Sequence, residues 1–150
     1  NANQTLDRII NFFPEDRRLQ LLMSLSSNLK AIISQRLVRS ENGKRRVATE
    51  ILVNTPTIAE LILKGQFQSI KEAISKSREL GMRTFDQDLF DLYDAGEIGY
   101  EDALRNADSM NELRLNIKLK AQRGEPKGAA EVSVAVPQAA AAASARVHDR

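Results

Sequence analysis

The chain has 150 residues, 42% of them hydrophobic and 28% charged, with 22 Lys plus Arg against 20 Asp plus Glu. That size and balance fit one folding unit with a tail and exclude a wholly disordered chain. The absence of cysteine excludes disulfides, Cys-based metal sites and a thiol nucleophile.

The sequence pI near 9.1 invites a nucleic-acid reading, so the position of the surplus charge decides its meaning. Residues 1–119 hold 17 Lys plus Arg and 17 Asp plus Glu, while residues 120–150 hold 5 and 3. The part expected to fold is therefore neutral, and no nucleic-acid partner is expected. No apolar run approaches the roughly 20 residues that span a bilayer, and the first residues lack signal-peptide order, so a cytoplasmic location without membrane insertion is expected.

In chain order, Leu6, Ile9, Ile10 and Phe13 recur at helical spacing behind the cap Asn3, which predicts a helix over about 3–12 stopped by Pro14. A second helix follows directly. Pro14, Glu15 and Asp16 suit its first turn, and Leu19, Leu22, Met23, Ser26 and Leu29 line one side. From Ala31 to Arg39 and from Arg45 to Val53 the β-branched content rises, and Ser40-Glu41-Asn42-Gly43 between them supplies turn chemistry, predicting an antiparallel hairpin. After Pro56 a short helix carries Ile58, Leu61 and Ile62 and stops at Gly65; another runs from Phe67 to Leu80 until Gly81. Thr84 caps a helix with the stripe Phe85, Leu89, Leu92 and Tyr93, ending at Gly96, and two shorter helices occupy about 100–107 and 109–119. From Lys120 onward the chain is rich in Gly, Pro and Ala and is expected to be disordered, because it has little to bury against the entropy of ordering.

Chemistry-bearing groups are sparse. The single histidine, His148, lies in the tail, and no Gly-rich phosphate loop ending in Gly-Lys-Ser/Thr occurs. Asp86, Asp88, Asp91 and Asp94 crowd one helix, with Asp91 and Asp94 spaced to share a cation, but they flank an amphipathic stripe and read first as a solvated acidic face. Lys44-Arg45-Arg46 at the hairpin turn reads as solvent-facing edge protection rather than a phosphate site. Ile58, Leu61 and Ile62 have two readings, inward core packing or an oligomer contact. No catalytic, cofactor-binding or metal-ligating residue is expected within this chain.

Several stretches together resemble the type IV pilus retraction ATPases of the PilT/PilU family, in the secretion ATPase superfamily. They are the run from Asn1 to Pro14, Ala31-Ile32-Ile33-Ser34-Gln35-Arg36-Leu37, Arg46-Val47-Ala48 with Glu50-Ile51, Asn54-Thr55-Pro56, and Glu79-Leu80-Gly81-Met82-Arg83-Thr84-Phe85-Asp86-Gln87. The resemblance covers residues 1–119 and implies the C-terminal part of an α/β, RecA-like P-loop ATPase. Its divisions are 1–55 for the end of that core, 56–119 for a helical region and 120–150 for a tail. The fragment itself is expected to be mainly helical with one hairpin.

PilT-like members carry an Ala-Ile-Arg-Asn-Leu-Ile-Arg-Glu helix implicated in retraction, and residues 57–64 match it. The match keeps Ile58, Leu61 and Ile62, which marks them as a candidate functional helix surface, while Ala59 and Leu63 stand where the two arginines would be. That departure, with the run Tyr100 to Asp108, is closer to the PilU branch than to the PilT branch.

The resemblance further implies a cytoplasmic homo-hexamer at the pilus base, contact with a PilT-type motor and pilus-base proteins, and ATP with Mg²⁺ in the parent protein. The family's phosphate loop and His box precede the point where this chain begins. With no initiator Met at Asn1, the chain is expected to be a piece of that longer protein. Its strands would then complete a larger sheet, so alone they should leave an open edge and an uncovered apolar face. A small helical interaction or nucleic-acid-binding module is the alternative reading, disfavoured by the neutral folded part. A secretion or assembly ATPase of a sister branch is a third, disfavoured by the lack of a tetracysteine segment.

Overall fold

The computed structural model describes residues 1–124 and contains nine α-helical or β elements joined by short 3₁₀ turns. They are α1 (Ala2–Asn11), α2 (Arg18–Asn28), β1 (Ala31–Arg39), β2 (Arg45–Val53), α3 (Pro56–Leu63), α4 (Ile70–Lys76), α5 (Phe85–Asp94), α6 (Tyr100–Asn106) and α7 (Met110–Lys120). The mainly helical fold with one antiparallel hairpin is the one read from the sequence.

The hairpin turns as its residues dictate. The Ser40 N–H donates to the Lys44 carbonyl at 2.8 Å, leaving Glu41-Asn42-Gly43 as the loop, and Gly43 sits at φ +79°, where a side chain would be strained. Register runs from Ala31 opposite Val53 to Arg39 opposite Arg45. Period-two alternation then sends even-numbered residues to one face and odd-numbered residues to the other.

All the helices whose apolar residues form the cores lie on the even face, in two clusters. Val38 and Ala48 meet Phe85, Leu89, Tyr93, Ile98, Leu104, Leu113 and Ile117 of the α5–α7 region. Leu52 meets Ala2 and Leu6 of α1, Ile58 and Ile62 of α3, Ile70 and Ile74 of α4, and Met82. Each cluster draws on residues from both sides of position 56, so the division at 55/56 follows from the resemblance and coincides with no gap in packing.

Three local expectations are corrected. In α2 the inward residues are Leu22, Leu25 and Leu29, while Leu19 and Met23 are 66% and 55% exposed; apolar residues surround this helix, and packing against α3 selects the side. The helix expected over 67–80 is confined to α4 between 3₁₀ turns at Phe67–Ser69 and Arg78–Leu80, because beyond Ile74 the next inward positions hold Ser77 and Arg78 and offer nothing to bury. The packed chain also continues through Gly124, past the boundary read at Lys120. The Asp94 carboxylate accepts the Gln122 N–H at 2.6 Å, Arg123 pairs with Glu41 at 2.8 Å, and the Tyr93 hydroxyl donates to the Gly124 carbonyl at 2.5 Å. The rest of the expected disordered tail lies outside the described residues.

The odd face of the hairpin is bare. Ile33, Leu37 and Val47 are 64%, 60% and 45% exposed, and Leu37 sits directly opposite Val47. The two edges differ as well. On β2 the Thr49 N–H donates to Asp88 at 2.6 Å, and Ile51 and Arg83 exchange backbone hydrogen bonds at 2.9 and 3.1 Å. Among the described residues, β1 has no second strand beside it. The isolated chain should therefore associate through this face and edge. Analytical ultracentrifugation should show a concentration-dependent species that Leu37→Lys reduces, with stability changed by no more than about 0.5 kcal/mol at so exposed a position. A strict monomer with one cooperative thermal transition would contradict this.

Candidate functional site

The two clusters meet at the middle rungs of the even face, where the sequence places charge. Arg36 lies opposite Ala48 and Ser34 opposite Glu50, between Val38 and Ala48 on one side and Ile32 and Leu52 on the other. Glu50 is 2% exposed. Glu50 is tolerable so deep only with a partner, and Arg36, with 29% of its side chain exposed, is matched as well.

Arg36 donates to the Asp108 carboxylate at 2.6 Å and to the Asn106 carbonyl at 2.5 Å, while its guanidinium lies 3.9 Å from the centre of the Phe85 ring. The other Asp108 oxygen accepts from the Asn1 side-chain amide at 3.1 Å. Asn1 in turn caps α1, its side-chain oxygen accepting the Gln4 N–H at 3.0 Å. Glu50 accepts the Ala2 N–H at 2.6 Å, so β2 holds the first turn of α1. Lys71 of α4 reaches Asp86 at 3.0 Å and stands 3.9 Å from Asp108. Asp86 also accepts the N–H groups of Asp108 at 2.7 Å and Ser109 at 3.2 Å, fixing the entry to α7.

Opposed forces act on the two carboxyls nearest α1. Burial pushes Glu50 above the ordinary glutamate value, the Asp108 charge adds to that push, and the Ala2 N–H resists it. At Asp108 burial also acts upward, but hydrogen bonds from Arg36 and Asn1, with the charges of Arg36 and Lys71, hold it below the ordinary aspartate value.

The acidic row of α5 is a solvated face only in its second half, at Asp91 and Asp94. Asp86 and Asp88 are 9% and 6% exposed, Asp88 binding Thr49 and Arg83, while Asp91 pairs with Arg78 and Asp94 takes the backbone after α7. Docking of the helix on β2 and α7 turns Asp86, Asp88 and Asp94 toward neighbouring backbone N–H groups, while Asp91 stays with the exposed Arg78. Among the described residues no group of three or more His, Cys, Asp or Glu comes together in a way that could hold a metal ion. At the turn, Arg46 pairs with Glu97 at 2.6 Å while Lys44 and Arg45 remain exposed.

Of the expected helix surface, Ile58 and Ile62 are fully buried and Leu61 is half-buried against them. Pro56, Thr57, Glu60, Leu63 and Lys64 are the residues α3 and its cap present outward, with Glu60 paired to Lys64 at 2.6 Å. An open polar cleft of about 500 Å³ lies among α4, α5 and α7, lined by Lys71, Arg78, Asp86, Gln87, Glu112 and Lys120 among others. Two of its cations, Lys71 and Arg78, are held by aspartates.

Sequence reading missed Arg36, Glu50 and Asp108 as members of one network. A signal existed for two of them, since Arg36 and Glu50 are charges at inward positions of alternating strands. Asp108 had none, because only folding brings it to residues 1 and 36.

A two-stranded hairpin covered on one face by helices and bare on the other is an arrangement this chain shares with segments of the secretion ATPases. The DotB ATPase of Yersinia pseudotuberculosis shares the fold at TM-score 0.60 and 22% identity, over 75% of this chain and 28% of that one. No protein-family profile matches the chain. It is 58% identical over 120 residues to the type IV pilus ATPase PilU of Pseudomonas aeruginosa, covering 79% of this chain and 31% of that protein. It is 35% identical over 107 residues to the type IV pilus retraction ATPase PilT of the same organism, covering 71% and 31%. The crystal structure of the pilus retraction motor PilT with bound ADP matches at TM-score 0.65 and 33% identity, over 73% of this chain and 30% of that one. The chain belongs to the PilT/PilU family of type IV pilus ATPases, spanning about a third of the length of these relatives.

The opposed shifts carry opposed pH signatures. Asp108, depressed in the fold, contributes stability that is present above its unfolded value and lost as pH falls through the folded one; Asp108→Asn should cost about 2 kcal/mol at neutral pH and progressively less in acid. Glu50, raised in the fold, contributes stability that is whole below its unfolded value and lost as pH rises through the folded one. Glu50→Gln keeps an acceptor for Ala2 without the charge, so it should raise the neutral-pH melting temperature and lose that advantage on acidification. Thermal melts of the two variants across pH 3 to 8 measure both slopes, and parallel curves would refute the assignment.

Proposed function

We propose that this chain is part of a hexameric ATPase motor that powers type IV pilus retraction and twitching motility, nearer in role to PilU than to PilT. The 58% identity over 120 residues to PilU carries the reading, against 35% to PilT. The absence of the two arginines of the retraction helix, replaced by Ala59 and Leu63, points the same way.

In this reading ATP and Mg²⁺ are handled by polypeptide outside these residues. The chain supplies the end of the RecA-like core through residue 55, the helical region over 56–119 and the beginning of a tail. Its bare hairpin face and open β1 edge are the junction with the missing part of the sheet, and partners are sister subunits, a PilT-type motor and pilus-base proteins on the cytoplasmic side. Among the described residues, no helix is long and apolar enough to cross a membrane.

The decisive experiment replaces the matching segment of P. aeruginosa PilU with residues 1–124 of this chain. The chimera should assemble as a hexamer, hydrolyse ATP and support PilU-dependent twitching, whereas residues 1–150 alone should show no turnover above background. A soluble chimera that hydrolyses ATP yet never supports twitching would remove the PilU reading. Turnover by the isolated chain at a motor-like rate would remove the division of labour.

A further inference from the structure

The network between the two cores contributes little as a stabilising device, because the Arg36 and Lys71 side chains keep 29% and 35% of their exposure and partly solvated ion pairs add little. What the network does uniquely is fix a direction. Asn1 is held by Asp108 at 3.1 Å and Ala2 by Glu50 at 2.6 Å, and both holders sit in a lattice that includes Arg36, Lys71 and Asp86. Glu50 of β2 and Asp108 of the segment between α6 and α7 thus hold the first two residues, and Asp108 is itself fixed by Arg36 of β1, Lys71 of α4 and Asp86 of α5. The Asn1 capping box then passes that orientation into α1.

We propose that the Arg36–Asp108–Asn1 contacts, with Glu50 on Ala2, form a charged joint that sets how the polypeptide enters α1, making Arg36 and Asp108 positioning residues for nucleotide turnover. The second half rests on the motor reading above, in which the nucleotide-handling groups lie outside these residues. Neither residue touches nucleotide. Their effect passes through α1, so loss of the joint slows the chemical step through misplacement and leaves nucleotide binding nearly intact.

Two measurements test the halves separately. In the isolated chain, Asp108→Ala and the milder Arg36→Lys should speed amide exchange at Ala2 and Gln4 by about tenfold or more, while Leu113 and Ile117 in α7 stay protected. Unchanged exchange at Ala2 and Gln4 overturns the joint. Equal acceleration in α1 and α7 with both variants also overturns it, since the network then holds only the fold as a whole. In the longer polypeptide that the motor reading requires, the same variants should lower kcat for ATP about tenfold with KM within about twofold. Arg78→Lys, at the exposed pair with Asp91, should leave both constants unchanged. An unaltered kcat, or a loss carried by KM, overturns the positioning role. A longer wild-type polypeptide that does not hydrolyse ATP overturns the motor reading and the positioning role with it, while the exchange result still decides the joint.

Discussion

An arginine and a glutamate on the inner face of a two-stranded hairpin must be matched on burial, because an unpaired charge between apolar layers would cost more than a small domain can bear. That demand organises the molecule. Arg36 requires Asp108, which draws in the segment between α6 and α7; Asp108 shares its field with Lys71 of α4; and Glu50 requires a donor, which the first turn of α1 provides. The two apolar clusters lie on either side of this layer of charge and are kept in fixed relation by it.

The same hairpin is finished on one face and unfinished on the other. Its even face is covered by helices, and its β2 edge is closed by Asp88 and Arg83. Its odd face exposes Ile33, Leu37 and Val47, and on its other edge β1 has no second neighbour strand among the described residues. A soluble domain rarely leaves a long apolar edge open. The match to about a third of PilU and PilT supplies the context in which such a surface is ordinary, as a junction inside a larger protein.

Positions Ile58, Leu61 and Ile62 retain the family's apolar residues, and the fold accounts for two of them as buried core and the third as half-buried beside them. The neighbouring positions Ala59 and Leu63 differ from the arginines of the PilT-like helix, and Leu63 is 44% exposed. Packing thus accounts for Ile58 and Ile62, while Leu63 faces largely outward.

Element type and order were legible in the sequence, because they follow from short-range physics. Asn42-Gly43 forms the turn, Thr84 caps α5, Gly96 follows its end and β-branched residues make the strands, whereas the cap of α1 is Asn1 and not the expected Asn3. The family was legible for a related reason, since its marks are contiguous runs of residues. Tertiary structure decided which side of α2 faces inward, where α4 stops, and that the aspartates of α5 serve as internal ligands for backbone and cations. It also decided the network itself, whose members Asn1, Arg36 and Asp108 lie far apart along the chain. Local propensity has no access to contacts of that range; only the docking of helices on one face of the hairpin brings those charges within hydrogen-bonding distance.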